Sequence, residues 1–319
     1  MDKATEEMLV TYHELNGGID VLHECPSPLE FMRYVAKNRP FMVRAGCSAW
    51  PAIRSWNVPH LRTNLRDTPI KVAITPYGNA DSVVRSASDG VNYFVKPFEK
   101  NEPFSVFLSH LLGQNPDQAD SFVRYSQTQN DNLRSEYVSL YEDVEPDIRF
   151  ASIALQREPD AINLWMGNNQ STTALHRDNY ENIYCQILGS KEFVLLPPVE
   201  TACVNEQFLP GATYNACMEI IPDDPSLKIP SAVWDPDRPK ESPTRFSHLS
   251  RPMRVTLHSG DMLYLPACWY HKVSQKDSEE GICCSVNYWY DMDFDGTFHA
   301  TNAFVRNMAW TVLEEHKSH

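Results

Sequence analysis

The chain has 319 residues with 42 acidic against 28 basic side chains, a formal net charge of −14. Such a surface repels phosphate backbones, which argues against direct nucleic-acid binding and favours a cationic partner. No run of about 18 apolar residues offers a bilayer span.

The acidic start MDKATEEMLVTYHELNGG lacks the basic-then-apolar order of a secretory signal. A soluble protein of the cytoplasm, with the nucleus as a second compartment, is the expectation. The eight cysteines include no C-x-x-C pair and only one close pair, the adjacent Cys283 and Cys284. A zinc cluster needs ligands two to four residues apart, so reduced thiols are expected.

In chain order, the first twenty residues read as a short helix ending near Gly17-Gly18. PSPLEFMRYVAKNRPFMVRAG reads as an amphipathic helix followed by an apolar strand after Pro40. SAWPAIRSW, with Trp50 and Trp56, reads as a packed corner. IKVAITPYGNADSV is a strand followed by a turn at Tyr77-Gly78-Asn79, and PFSVFLSHLLG has helical spacing. From Ala161 the texture changes to short runs such as INLWMG, NIYCQILG, KEFVLLPP, VTLHSGDMLYLPACWYHKV and CCSVNYWYDM. Many short strands broken by Gly and Pro point to an antiparallel sandwich or barrel. Seven prolines between Pro222 and Pro252 mark an irregular insertion inside that region. The end of the chain reads as a helix with Phe298, Val305, Met308 and Val312 on one stripe, packed on the sheet or against a second copy. The divisions expected are a leader helix (1–20), an α/β part (21–159), a β core (160–292, with the insertion at 222–252) and a C-terminal helix (293–319).

The polar residues of TALHRDNYENIYCQILGSKEFVLLPP (173–198) stand out against their apolar surroundings. In a strand, residues two apart face the same side, so His176 and Asp178 would aim an imidazole and a carboxylate at one point. About one such His-x-acid pair is expected by chance in this composition, so the pattern alone is weak. A second element, SGDMLYLPACWYHKV, brings His271 from another strand. Two histidines and a carboxylate satisfy a facial triad with open positions, which suits Fe(II) better than zinc. Two ordinary core histidines fit that spacing too. Lys191, after a presumed hairpin turn at Gly189-Ser190, needs an anion if it points inward, and Thr173 could add a hydroxyl to the same anion. If Lys191 points to water, it is a turn residue.

HRD at 176–178, KEF after a glycine turn, GDMLYLPACWYH at 260–271 and VNYWYDM at 286–292 together resemble the Jumonji-C (JmjC) oxygenases. PLEFMRYVAKNRPFMVRAG and WPAIRSW are similar to the lead-in of the family's protein hydroxylases. VAITPYGNADSV and LHRDNYENIYC are most similar to the branch of bifunctional peptidases and (3S)-lysyl hydroxylases. The resemblance runs from about residue 20 to 295. It implies a mostly β fold with flanking helices around a double-stranded β-helix, a jelly roll of the cupin type. It further implies iron ligation by His176, Asp178 and His271, and a 2-oxoglutarate carboxylate held by Lys191 and Thr173 with help from Tyr125. Asn182 and Asn287 fall where the family places amides near co-substrate and iron. Tyr180, Trp289 and Asp291 are candidates for the substrate wall, the alternatives being packed aromatics and a solvated acid.

The implied activity uses Fe(II), 2-oxoglutarate and O₂ to hydroxylate a lysine in a protein, by resemblance a small GTP-binding protein of the developmentally regulated class. Lysine demethylation and histone-tail peptidase activity are the alternatives within the family. A non-catalytic cupin that serves as an interaction module is the alternative outside it. Oligomeric state stays open between monomer and homodimer.

Overall fold

The computed structural model describes residues 1–113 and 121–315. An N-terminal helix (Asp2–Leu15) precedes strand β1 (Asp20–Leu22). The next helix, Pro28–Lys37, starts where the sequence dictates: Ser27 caps it, Pro28 opens it, and Ser27 and Glu30 exchange side-chain to backbone hydrogen bonds. Then come β2 (Phe41–Val43), short helices at Pro51–Ser55 and Val58–Leu65, and strands β3 (Pro69–Thr75), β4 (Ser82–Arg85), β5 (Asn92–Lys96) and β6 (Phe98–Pro103). The helix Phe104–Leu111 and strand β7 (Val123–Tyr125) follow, with helices at Asn132–Ser135 and Arg149–Leu155. The remainder is β8 (Ala161–Gly167), β9 (Thr172–Arg177), β10 (Tyr180–Leu188), β11 (Ser190–Leu196), β12 (Glu206–Tyr214), β13 (Ile220–Pro222), β14 (Lys228–Ala232), β15 (Met253–His258), β16 (Met262–Leu265), β17 (Tyr270–Lys276), β18 (Cys283–Asp291) and a C-terminal helix, Thr297–Glu315.

Two sheets form the sandwich. One has the order β1-β2-β16-β10-β18-β8 and the other β15-β11-β17-β9. Consecutive strands alternate between the sheets, β8 in one and β9 in the other, then β10 and β11, then β15 to β18 in the same way. That alternation is a jelly roll of eight antiparallel strands, with β2 and β1 extending one edge. The apolar character of NIYCQIL on both faces is explained by its position. Ile183, Cys185 and Ile187 pack outward against the helical layer with Phe31 and Phe150, while Tyr184 points inward with Phe193, Leu195 and Trp269. Strands buried on two sides need no polar alternation.

Three sequence expectations are corrected. Gly189-Ser190 is not a hairpin turn, because β10 and β11 belong to different sheets and the glycine carries the chain between them. The stretch between β11 and β15 is not wholly irregular: β12 pairs with β13, with β14 and, in parallel, with β5 of the N-terminal part. On the C-terminal helix the buried positions are Asn302, Ala309 and Val312, and Phe298 is exposed. Ala309 and Val312 pack on Leu9, Ala202, Cys203 and Phe246, and so not on either sheet of the sandwich. Residues 316–319 lie outside the described residues. No described helix is long and apolar enough to cross a membrane.

Gly189 has φ +69°, and a β-carbon there would lie 2.4 Å from the Lys276 carbonyl oxygen. Gly189→Ala is therefore expected to destabilise the protein by about 2 kcal/mol or more, from left-handed strain plus the clash. A urea midpoint unchanged from the parent would contradict this.

Candidate metal centre and anion socket

On β9, period two would place Thr173 and His176 on opposite faces. The pairing with β17 shows why both point inward. Val273 faces Thr173 and His271 faces His176, so one residue on β17, Lys272, opposes two on β9, and a bulge falls at Ala174–Leu175. The extra residue turns the His176 imidazole into the sandwich while Leu175 stays on the outer face with Tyr270 and Trp234. The carbonyl of Ala174, inside the bulge, accepts a hydrogen bond from His176 Nδ1 at 2.8 Å. His271 Nδ1 likewise donates to the Trp269 carbonyl at 3.0 Å. A carbonyl can only accept, so both rings carry a proton on Nδ1, which leaves Nε2 as the atom that can turn to a metal.

Asp178 lies beyond the end of β9, which corrects the expectation of an in-strand pair with His176. Backbone bonds position it instead. The Cys268 N–H donates to the Asp178 carbonyl at 2.7 Å, and the Met292 N–H to the neighbouring Asn179 carbonyl at 3.2 Å. The His271 approach is fastened in turn by Trp269, whose indole N–H donates to Asn38 Oδ1 at 2.7 Å. The result brings Asp178 Oδ2 to 3.7 Å from His176 Nε2 and 3.6 Å from His271 Nε2, with the imidazole centroids 4.1 Å apart. The three ligand atoms lie within 4.8 Å of one another, the only such group of three or more among the described residues. Burial lowers the proton affinity of His176, but the adjacent Asp178 carboxylate outweighs it and the pKa rises overall. Burial opposes ionisation of Asp178, yet His176 and His271 hold its carboxyl below the usual range. Burial and the neighbouring His176 push His271 down to about 4. An ionised carboxylate and a neutral imidazole are the donor states a metal requires.

Lys191 points inward and is 1% exposed. Its ammonium donates to Tyr125 Oη at 2.8 Å and Tyr184 Oη at 2.9 Å. The rings of Tyr184, Tyr125 and Trp165 surround the charge at 5.2, 5.5 and 5.9 Å. Burial keeps both phenols protonated. Among the described residues no carboxylate lies within ion-pair distance of this ammonium. A cation so deeply buried beside only neutral hydroxyls is costly, so the pocket is built for an anion from outside. On β11, Lys191 pairs with Gln275 and Leu195 with His271, so the ammonium stands four residues along the same inner face from the level of the triad.

Asn287 Nδ2 donates to Asn182 Oδ1 at 3.0 Å, and Trp165 Nε1 donates to Asn287 Oδ1 at 2.8 Å. The two amides thus connect the anion pocket to the inner face of β10. Tyr180 and Trp289 stack at 4.8 Å with planes 7° apart, and the buried Trp289 indole nitrogen has no hydrogen-bond partner among the described residues. Asp291 closes β18 with its backbone N–H bonded to Asp160 and its carbonyl to Arg157. An open cleft of about 790 Å³ reaches Thr173 and His176 from outside. Tyr184 and Trp165 were missed in the sequence. Alternation along β10 from Tyr180 and Asn182 was the signal that could have found Tyr184, whereas Trp165 carries no local mark.

A family model for the cupin-like domain matches residues 26–296. The chain is 36% identical over 284 residues to the human bifunctional peptidase and (3S)-lysyl hydroxylase JMJD7, covering 87% of this chain and 85% of that protein. The chain belongs to the cupin-like JmjC family. It is also 34% identical to the lysine-specific demethylase JMJ32 of Arabidopsis thaliana, covering 92% and 88% of the two chains. With the JmjC domain-containing protein E of Dictyostelium discoideum it shares 32% identity over 85% and 83%. JmjC enzymes are oxygenases that use Fe(II) and 2-oxoglutarate, and the donor set here fits both. Two imidazoles and a carboxylate can hold a divalent metal, and the anion-seeking Lys191 can hold a carboxylate.

Asp178→Ala should abolish Mn(II) or Fe(II) binding while the fold persists; metal affinity within a few-fold of the parent would contradict the grouping. Lys191→Met should spare metal binding yet weaken 2-oxoglutarate binding by roughly 30-fold or more, the scale of one buried charge pair. Isothermal titration of the metal-loaded proteins distinguishes the two effects.

Proposed function

We propose that this JmjC oxygenase is a protein lysyl hydroxylase in which His176, Asp178 and His271 hold Fe(II). Lys191, Tyr125, Tyr184 and Thr173 hold the distal carboxylate of 2-oxoglutarate. The observation that carries the reading is the buried Lys191 ammonium, which lacks an anion and shares the inner face with the triad. A module that merely binds partners has no use for a desolvated cation left without a counter-ion. Iron and 2-oxoglutarate, when bound, supply the oxidation: O₂ converts 2-oxoglutarate to succinate and CO₂ and leaves one oxygen atom on a target carbon. The protein's share is position and exclusion of water. The Nδ1–H bonds to Ala174 and Trp269 fix both imidazole planes. The Trp165, Tyr125 and Tyr184 rings exclude water from the ammonium, which strengthens its hold on a carboxylate.

Lysine is supported as the target by two relatives whose names specify it, one a hydroxylase and one a demethylase. Hydroxylation is preferred because the chain carries none of the zinc-spaced cysteines that accompany chromatin-reading modules. The family resemblance makes a small GTP-binding protein of the developmentally regulated class the first target to try. The net charge of −14 suits a cationic surface on it. For peptidase activity, no Ser-His-Asp or Cys-His arrangement is legible in the sequence.

The test begins anaerobically, by titrating apoprotein with Fe(II) with and without 2-oxoglutarate and recording the visible metal-to-ligand charge-transfer band. A band that needs both, and vanishes in His176→Ala, is expected. Incubation in air with the GTP-binding protein should then add one oxygen atom to a lysine residue without formaldehyde. Formaldehyde from a methylated lysine would favour the demethylase, and no band from folded protein would return the chain to the interaction modules.

A further inference from the structure

The anion pocket has a counterpart of opposite sign. Asp81 follows the Tyr77-Gly78-Asn79 turn and lines both the cleft of about 790 Å³ and a neighbouring one of about 330 Å³, the two cavities that His176 also lines. Its carboxylate Oδ2 accepts one hydrogen bond, from Gln127 Nε2 at 2.9 Å. Gln127 is itself buried and lies two residues beyond Tyr125, whose hydroxyl touches Lys191. Among the described residues no cation stands within ion-pair distance of Asp81. The lysines of the cleft are engaged elsewhere, Lys71 with Glu99 at 3.4 Å and Lys96 with Asp223 at 3.0 Å. A half-buried carboxylate served by one neutral amide is short of a positive partner.

The loop that carries Asp81 is fixed to the strand that carries His176. The Thr172 N–H donates to the Gly78 carbonyl at 2.8 Å, and the Gly78 N–H donates to Thr75 Oγ1 at 2.9 Å. Gly78 has φ +72°, and a β-carbon there would sit 2.0 Å from the Gln170 carbonyl oxygen, so the contact is closed to any other residue. Asp81 itself has φ +52°, the left-handed region that Asp and Asn tolerate at some cost. Such backbone, held by its surroundings, is characteristic of sites where a side chain must be aimed.

We propose that Asp81 accepts the ε-ammonium of the target lysine and so sets which carbon of that side chain faces the triad. This rests on the lysyl-hydroxylase reading and adds a specificity-determining residue to it. Asp81 stands beside His176 in the cleft and is not a member of the triad, so the head group is drawn aside. The methylenes nearer the target's backbone are then presented to the metal. A demethylase needs the reverse, with the head group at the metal. Asp81 and Lys191 thus divide two charges between two ligands: the buried cation takes the co-substrate carboxylate, and the carboxylate in the cleft takes the target cation.

The experiment uses the full chain loaded with Mn(II) and 2-oxoglutarate, with Nα-acetyl-lysine methylamide and its norleucine analogue as probes. Proton relaxation of each probe by the bound Mn(II) reports affinity and the nearest methylene. The parent should bind the lysine probe at least about tenfold better than norleucine. Its enhancement should be stronger at the methylenes near the backbone than at the ε-methylene. Asp81→Asn, which keeps the shape and the left-handed backbone, should equalise the two probes. Asp81→Gly, free of strain at that φ, should do the same on an independent background. Lysine preference retained in both variants would overturn the Asp81 assignment and leave the lysine reading standing, and so would strongest relaxation at the ε-methylene. No preference in the loaded parent would overturn both.

Discussion

The inner surface of the sandwich is organised around one desolvated charge. The Lys191 ammonium occupies the centre of a jelly roll where an apolar side chain would stabilise more, and its neighbours make sense only in relation to it. Tyr125 comes from the N-terminal part, Tyr184 and Trp165 from two strands of the opposite sheet, and Ser285 donates to the Tyr184 hydroxyl. Two sheets and the wrapping segment must therefore close together before the cation has any partner. That dependence links the fold to the chemistry: the pocket exists only in the assembled sandwich, and its electrostatic demand stays unmet until an anion enters.

Much of this was legible in the sequence, and the reasons differ from residue to residue. His176, His271 and Lys191 stood out because each is a costly residue in an apolar strand, and cost is visible in one dimension. The inward direction of Thr173 was not visible, because strict alternation contradicts it and only the bulge at Ala174–Leu175 reconciles it with His176. Trp165 was invisible as part of the cage because a tryptophan in a strand is ordinary. Its role depends on a lysine that meets it only across the sandwich. Gly189 reads as a hairpin from its neighbours alone. That the two flanking strands lie in different sheets is a property of the whole topology. The helical stripe at the C-terminus failed for a similar reason: the periodicity was real, but the surface that covers the helix is a loop and another helix, and it selects Ala309 and Val312.

The N-terminal part does more than wrap the core. It lengthens one sheet through β1 and β2, pairs β5 with the insertion strand β12, and contributes Tyr125 to the anion pocket and Asp81 to the cleft. Asp261 of the GDMLYLP motif belongs to this joint and not to the metal site. Its carboxylate accepts from Arg44 at 2.5 Å, from the Ala45 N–H at 3.1 Å and from the His258 N–H at 3.0 Å. The motif that leads into the His271 strand thus also fastens the N-terminal part to the core.

The groups that orient the two imidazoles are main-chain carbonyls, Ala174 and Trp269. A side-chain orienter can be deleted by one codon change, whereas a peptide carbonyl is supplied by every amino acid. The orientation of the two imidazole rings is thus insulated from point substitution at the orienting positions themselves. Loss of one residue from the bulge would leave that direction intact as well: Thr173 and His176 would then be two apart, opposite Val273 and His271 in regular alternation, with both side chains still facing inward.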